Sequence, residues 1–407
     1  MKYLLICMIV IGLLIVRNNK INIANPLFVY SSIWGVMALT VFFHVFSKFT
    51  KINNEFIIMM GISYLMFLIG SMMFKKIKMK PKKNIYNFNK MYLSGIILFV
   101  IIMISFIITW YIIGPPPLLG GNVNRVDYYI GAVEMFFLFI FPLWYVCLFQ
   151  ISNGFKVKQN MILVFFSLMI VILKGNKFPI IIFLLYVAFF IQIYKKIKVK
   201  HILIGVTSVL LVFYLSSSLY GANSQLMGYK ANITGFTFQK GSYILLDPLL
   251  YLSNNIYNLN RFLQSGFHQY TMGFSGLEGI MKVLHIDSIS LDSVMNGEQY
   301  WKANLQYSWL TTGTYLKSAY IDFGILGLFA IPFLLGSIST VYYTEVKNNN
   351  DAKNNNLTRL FIYINLFVFL CLSFFTNYFS KTEIVPNIII IFIIDMYSKT
   401  KGVRNDT

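Results

Sequence analysis

With 407 residues, 57% of them hydrophobic and only 12% charged, and a mean hydropathy of +0.67, the chain has the composition of a polytopic membrane protein. That composition excludes a sizeable soluble domain between the apolar runs. The net charge of +20 sits in short lysine clusters at the ends of those runs, which suits anionic lipid headgroups and argues against nucleic acid as a partner.

A bilayer core of roughly 30 Å takes about 20 apolar residues per helix. Eleven such stretches follow in chain order, near residues 3–16, 26–46, 56–74, 91–113, 131–149, 161–173, 178–194, 202–219, 319–344, 360–376 and 384–397. The expectation is an all-α membrane protein of about 11 transmembrane helices, with a range of 10–12. The first stretch has a lysine before it, as a signal peptide does, but no small-x-small cleavage site precedes Arg17, so it reads as a retained span. Three regions result: a helix bundle over 1–219, a large loop over 220–318, and further spans with a tail over 319–407.

Lysine and arginine set the orientation, because cytoplasmic loops retain positive charge. One side collects 21 of the 34 basic residues, including KKIKMKPKK at Lys75 to Lys83 and KKIKVK at Lys195 to Lys200. That side is expected in the cytoplasm, which places the loop Tyr220 to Ser318 outside the membrane. Cys7, Cys147 and Cys371 stand alone in apolar spans, so neither a disulfide framework nor a cysteine metal site is indicated.

Taken in order, the outer segments offer these candidates. GPPPLLGGNVNRVDYY, Gly114 to Tyr129, is too rich in proline and glycine to be a helix. Its Arg125 suits a phosphate or pyrophosphate oxyanion, or else pairs with Asp127 or snorkels to the interface. LKGNKFP, Leu173 to Pro179, is a tight turn between two spans that keeps Lys174 and Lys177 where positive charge is disfavoured; the pair either binds an anion or reaches lipid phosphates.

The long loop is nearly balanced in charge and rich in tyrosine, tryptophan and asparagine, as in YLSNNIYNLNRF and QYWKANLQYSWL. Aromatic faces with amide edges suit a sugar ring, and equally an interfacial helix. SNNIYNLNRFL reads as a helix with Arg261 near its end, followed by a turn with His268, a general base, a phosphate donor or a solvated loop residue. In TTGTYLKSAYIDFGILGLFAIPFLLG a polar stretch re-enters the membrane with Tyr320 and Asp322 at its boundary; Asp322 needs a partner, expected to be an outer cation or site water. There is no Gly-x4-Gly-Lys-Ser/Thr phosphate loop and no Asp-x-Asp pair in the loop, where Asp287 and Asp292 are five apart; the four histidines are scattered. Nucleotide and metal chemistry are therefore disfavoured.

The order of the Arg125 turn, the KGNK turn, a large outer loop with GFHQYTMGFSGLEGI and then TYLKSAYIDFGILGLFAIPFLLG resembles the Wzy family of bacterial O-antigen and capsular oligosaccharide repeat-unit polymerases. The resemblance in layout covers nearly the whole chain. It implies a GT-C-like helical architecture in the bacterial cytoplasmic membrane and a cofactor-free, metal-independent glycosyltransferase. Donor and acceptor would both be oligosaccharides linked to undecaprenyl pyrophosphate, with membrane lipids, a chain-length regulator and a flippase as further partners. In that chemistry Arg125, Lys174, Lys177 and Tyr320 would bind substrate and pyrophosphate. Arg261 would join the cations on the leaving group, and His268 would act as base with Asp322 or Glu278 behind it. An O-antigen ligase would use the same donor, and a flippase would move the lipid-linked unit without joining it; nearly uncharged spans and one very long loop argue against the flippase.

Overall fold

The computed structural model describes residues 10, 22–77, 84–120, 127–194, 207, 224–238, 245–283, 291–348 and 356–400. Among them the chain is helical and contains no strand, only the isolated bridges Phe46 to Phe236 and Tyr86 to Lys399. In chain order the helices are α1 (Pro26–Phe42), α2 (Asn54–Met73), α3 (Phe88–Ile113), α4 (Gly131–Phe137), α5 (Ile140–Ser152), α6 (Val157–Lys174) and α7 (Lys177–Tyr194). There follow α8 (Ser224–Thr234), α9 (Leu246–Gln264), α10 (Glu278–Val283), α11 (Leu291–Ala303), α12 (Tyr315–Asn348), α13 (Leu357–Leu372) and α14 (Ile384–Ser398).

Five segments among the described residues are long and apolar enough to cross a membrane: Asn54–Lys76, Phe88–Ile113, Gly131–Ser152, Val157–Lys174 and Tyr315–Lys347. Pro26–Phe42, Lys177–Ile193, Leu357–Leu372 and Ile384–Ser398 are shorter apolar helices. The chain is thus a helical membrane protein. The stretches expected at 3–16 and 202–219 lie, apart from residues 10 and 207, outside the described residues.

Asparagine starts several of these helices for a local reason. A side-chain oxygen at the N-cap accepts from a backbone amide of the first turn that has no helical partner. Asn25 accepts from Leu27 N at 3.0 Å, with Pro26 opening α1; Asn53 caps α2, and Asn87 caps α3 through Asn89 and Lys90. The KGNK turn is as short as its sequence indicates. Gly175 closes α6 in the left-handed conformation, and Asn176 Oδ1 accepts from Phe178 N at 3.2 Å as α7 begins.

The chain packs as two compact units. The first comprises Met1–Met79, Gly221–Thr344 and Leu366–Thr382, and the second Lys80–Tyr220, Glu345–Asn365 and Glu383–Thr407. In the second unit the core is built on α5, where Phe141, Leu143, Trp144, Tyr145 and Phe149 are buried. Its helix ends meet at Asp395, which accepts from Tyr86 Oη at 2.6 Å, Thr358 Oγ1 at 3.0 Å and Lys399 Nζ at 2.6 Å.

In the first unit, α1, α2 and α12 enclose a buried polar seam. Tyr30 and Tyr315 share a hydroxyl hydrogen bond of 2.8 Å, Ser31 and Tyr64 another of 2.7 Å, and Trp34 Nε1 donates to Ser373 Oγ at 3.2 Å. Such pairs satisfy phenol and indole groups that no water reaches. α2 and α12 approach closely through reciprocal glycines, since a Cβ on Gly70 would overlap the Phe333 carbonyl oxygen and one on Gly336 that of Phe67. Small residues at such crossings let backbones touch where lipid offers no competing hydrophobic drive. Gly70→Ala and Gly336→Ala should each cost about 1–3 kcal/mol from overpacking against backbone. A thermal melt of the detergent-solubilised protein checks this, with Gly131→Ala, where a Cβ meets nothing within 4 Å, as the neutral comparison.

Candidate functional site

The described part of the large loop belongs to the first unit and is organised around α9. One face of this helix packs on Phe46 and Phe49 through Leu246, Leu250 and Tyr257. Burial pushes the Tyr257 phenol up to about 12, so it stays a neutral core group. Asparagines 254, 255, 258 and 260 are buried on this helix as well, and their amide nitrogens donate to backbone carbonyls. Asn254 and Asn258 Nδ2 both donate to Leu310 O, at 3.2 and 2.9 Å, while Asn258 Oδ1 accepts from Gln306 N at 2.8 Å. Thr312 Oγ1 donates to Asn255 Oδ1 at 2.8 Å, and Asn53 N to Asn260 Oδ1 at 3.2 Å. The sequence offers these amides to a sugar edge; the folded chain engages them in holding residues 304–314 and 50–53.

The second feature is a break in α12. Gly324 has φ 59° and ψ −142°, outside the helical region, and the Tyr270 ring lies 2.6 Å from where its Cβ would be. Only glycine tolerates both the dihedral and the contact. A break leaves carbonyls without helical donors, and residues 271–276 supply them. Thr271 N donates to Ile321 O and Met272 N to Asp322 O, each at 3.0 Å. The Asp322 carboxylate in turn accepts from Thr271 Oγ1, from Ser275 N at 2.7 Å and from Gly276 N at 2.6 Å. Asp322 is 2% exposed. Its partners among the described residues are a hydroxyl and backbone amides, where the sequence pointed to an outer cation or site water.

Around this break the aromatic residues form one connected cluster. Phe262 meets Phe267, Trp301 and Tyr320 at ring-centroid distances of 5.4, 5.4 and 5.7 Å, and Tyr270 meets Tyr320 at 6.3 Å. Tyr320 is buried, its hydroxyl 3.5 Å from Phe267 O. Arg261 and His268 adjoin Phe262 and Phe267 in the chain, so the cluster draws both to its edge. Arg261 makes one long hydrogen bond, 3.5 Å to Gln306 Oε1, and no carboxylate pairs with it among the described residues. His268 is exposed, with no partner there either, and Glu278 begins α10 half-buried.

Spacing in the sequence did not single out Lys317, which pairs with Glu298 and lies 5.0 Å from the Trp301 ring centroid. The one available signal was that Lys317 and Tyr320 are three apart and share a helix face. In the second unit, Lys174 is buried and bonded to Glu134 Oε2 at 2.5 Å, with its ammonium 3.8 Å from the Phe137 ring centroid. That ammonium already has a protein carboxylate as a partner. Lys177 is half-buried at the start of α7. Arg125 lies outside the described residues. No group of three or more His, Cys, Asp or Glu able to hold a metal ion occurs among the described residues.

No protein-family model, curated protein or solved structure matches this chain.

Removing the Asn258 amide strands Gln306 N and weakens the hold on Leu310 O, at about 1–3 kcal/mol for buried groups left unpaired. Asn258→Leu should therefore speed hydrogen exchange at residues 304–314 with no substrate present. Unchanged exchange there would return Asn258 to the set of free recognition groups.

Proposed function

We propose that the protein joins undecaprenyl-pyrophosphate-linked oligosaccharide repeat units, as a Wzy-type polymerase, at the outer face of a bacterial cytoplasmic membrane. The proposal includes about 11 spans in a GT-C-like arrangement. The observation that carries it is the availability of Arg261. Among the described residues, Lys174, Lys230, Lys317, Arg359 and Lys399 each have a carboxylate partner, whereas Arg261 stands at the edge of the aromatic cluster with one long bond to a neutral amide. A guanidinium with donors to spare suits the oxygens of a departing pyrophosphate.

The transfer makes specific demands. The acceptor hydroxyl must lose a proton as the glycosidic bond forms, and the polyprenyl pyrophosphate must leave with its negative charge compensated. In this reading the exposed His268 takes the proton, with Glu278 close in sequence to assist. Arg261 compensates the leaving group. Tyr320 lines the substrate side through the aromatic cluster. Asp322, whose oxygens already accept three donors, holds the site in place. The exposed rings of Tyr300 and Trp309 offer faces to sugar.

Two outcomes test the reading. In a strain lacking the native gene, Arg261→Ala should abolish long glycan chains at normal membrane abundance, and Arg261→Lys should recover little. The loss of one charge-assisted contact at about 2–4 kcal/mol corresponds to a rate drop of roughly 30-fold to 1000-fold. A wild-type ladder from Arg261→Ala would remove the pyrophosphate role, and single repeat units absent as well as long chains would point to a ligase. Purified protein should extend lipid-linked units in excess EDTA without a nucleoside triphosphate; activity that requires restored magnesium would contradict the cationic site.

A further inference from the structure

The loop at the α12 break differs from an ordinary aqueous loop in how it treats its backbone. Thr271 and Met272 N donate to carbonyls of α12, Phe274 N to Thr271 O, and Leu277 N to Gly273 O. Ser275 and Gly276 N donate to Asp322, and the Gly273 amide is also directed at that carboxylate. Every amide from Thr271 to Leu277 thus has an acceptor inside the protein. Water makes such completeness unnecessary, while lipid demands it of any backbone it touches.

The outward side chains agree. Met272 is 72% exposed, and Leu277 and Tyr270 are exposed beside it. Met272 also holds a positive φ of 51°, a conformation costly for a residue with a Cβ, and one that persists only where surroundings fix it. The patch continues onto the span itself. A Cβ on Gly273 would lie 3.6 Å from the Phe323 ring, and Phe323, Ile325 and Leu326 are exposed, Leu326 at 75%.

Depth follows from length. Ile325 to Thr344 is a helical run of about 30 Å at 1.5 Å per residue, the thickness of a bilayer core, and Glu345 and Lys347 follow it. The break at Gly324 then falls at the opposite boundary. Glu278 at one end of residues 270–277, and the exposed His268 and Gln269 at the other, mark its polar edges.

We propose that residues 270–277, together with Phe323 to Leu326, form a membrane anchor in which Met272 and Leu277 insert among the lipid acyl chains of the leaflet opposite the lysine-rich loops. The occupant is bulk lipid. The charge-poor surface and its continuity with the exposed side of an apolar span favour lipid over a protein partner. This anchor is independent of the catalytic reading and would exist equally in a protein that transports or binds.

The test uses full-length protein in phosphatidylcholine and phosphatidylglycerol vesicles, with bimane on Met272→Cys or, separately, on Leu277→Cys. Asn296→Cys, at an exposed position on α11, is the aqueous comparison, and the wild-type chain gives the background from native cysteines. A nitroxide lipid labelled high on its acyl chain should quench the 272 and 277 signals and leave 296 bright, while aqueous iodide should do the reverse. Leu277→Cys reports alone if Met272→Cys fails to fold. Iodide quenching at 272 and 277 to the level of 296, or no response there to either quencher, would overturn the proposal.

Discussion

A carboxylate set into a break of an apolar helix must find its donors within the protein, since neither bulk water nor a continuous helix provides them. Asp322 finds them in the loop Thr271 to Gly276, and the same loop closes the carbonyls that the break exposes. Each part requires the other. Without the loop, Asp322 and the Gly324 break would leave several polar groups stranded, and without Asp322 the glycine-rich loop would lose the acceptor for its consecutive amides. Charge-assisted hydrogen bonds of this kind contribute about 1.5–3 kcal/mol each, enough to fix a segment that has little apolar core of its own. The aromatic cluster, and with it Arg261 and His268, depends on that fixed segment because Tyr270 and Phe267 lie on its approach.

The account of the loop as a sugar-binding surface changes accordingly. Its asparagines form an internal frame, with Asn258 and Asn254 gripping Leu310 and Asn260 reaching Asn53. What remains at the surface is an edge of rings with a guanidinium that has no carboxylate partner among the described residues and an exposed imidazole. That edge has the chemistry for an anionic leaving group beside a carbohydrate, and the apolar patch next to it has the chemistry for lipid. A lipid-linked glycan carries its pyrophosphate at a membrane surface, and an anchor in bulk lipid would hold the edge there.

Local signals carried the helices. The apolar runs, the N-cap asparagines, the Gly175 turn and the helix through SNNIYNLNRFL all depend on neighbours within a turn or two, so the sequence displays them directly. The site was less legible because its pairs are remote in the chain. Lys174 reaches Glu134 forty residues away, and Asp322 reaches Thr271, Ser275 and Gly276 across about fifty. Spacing could mark Asp322 as needing a partner; it could not say that backbone amides would serve. Gly324 was visible only as a glycine in an apolar span, whereas its positive φ makes it a break.

Hydrogen exchange on Asp322→Asn tests the central interaction most directly. Asparagine keeps one oxygen but turns an NH2 toward a donor, either Gly276 N or the Thr271 and Ser275 pair. The loss of about 1.5–3 kcal/mol corresponds to a rise in exchange of roughly 10-fold to 100-fold at residues 271–277. The account predicts that rise, confined to the loop and to the α12 break, with the buried seam at Tyr30 and Tyr315 unaffected. Exchange in residues 271–277 that matches the unsubstituted protein would contradict it.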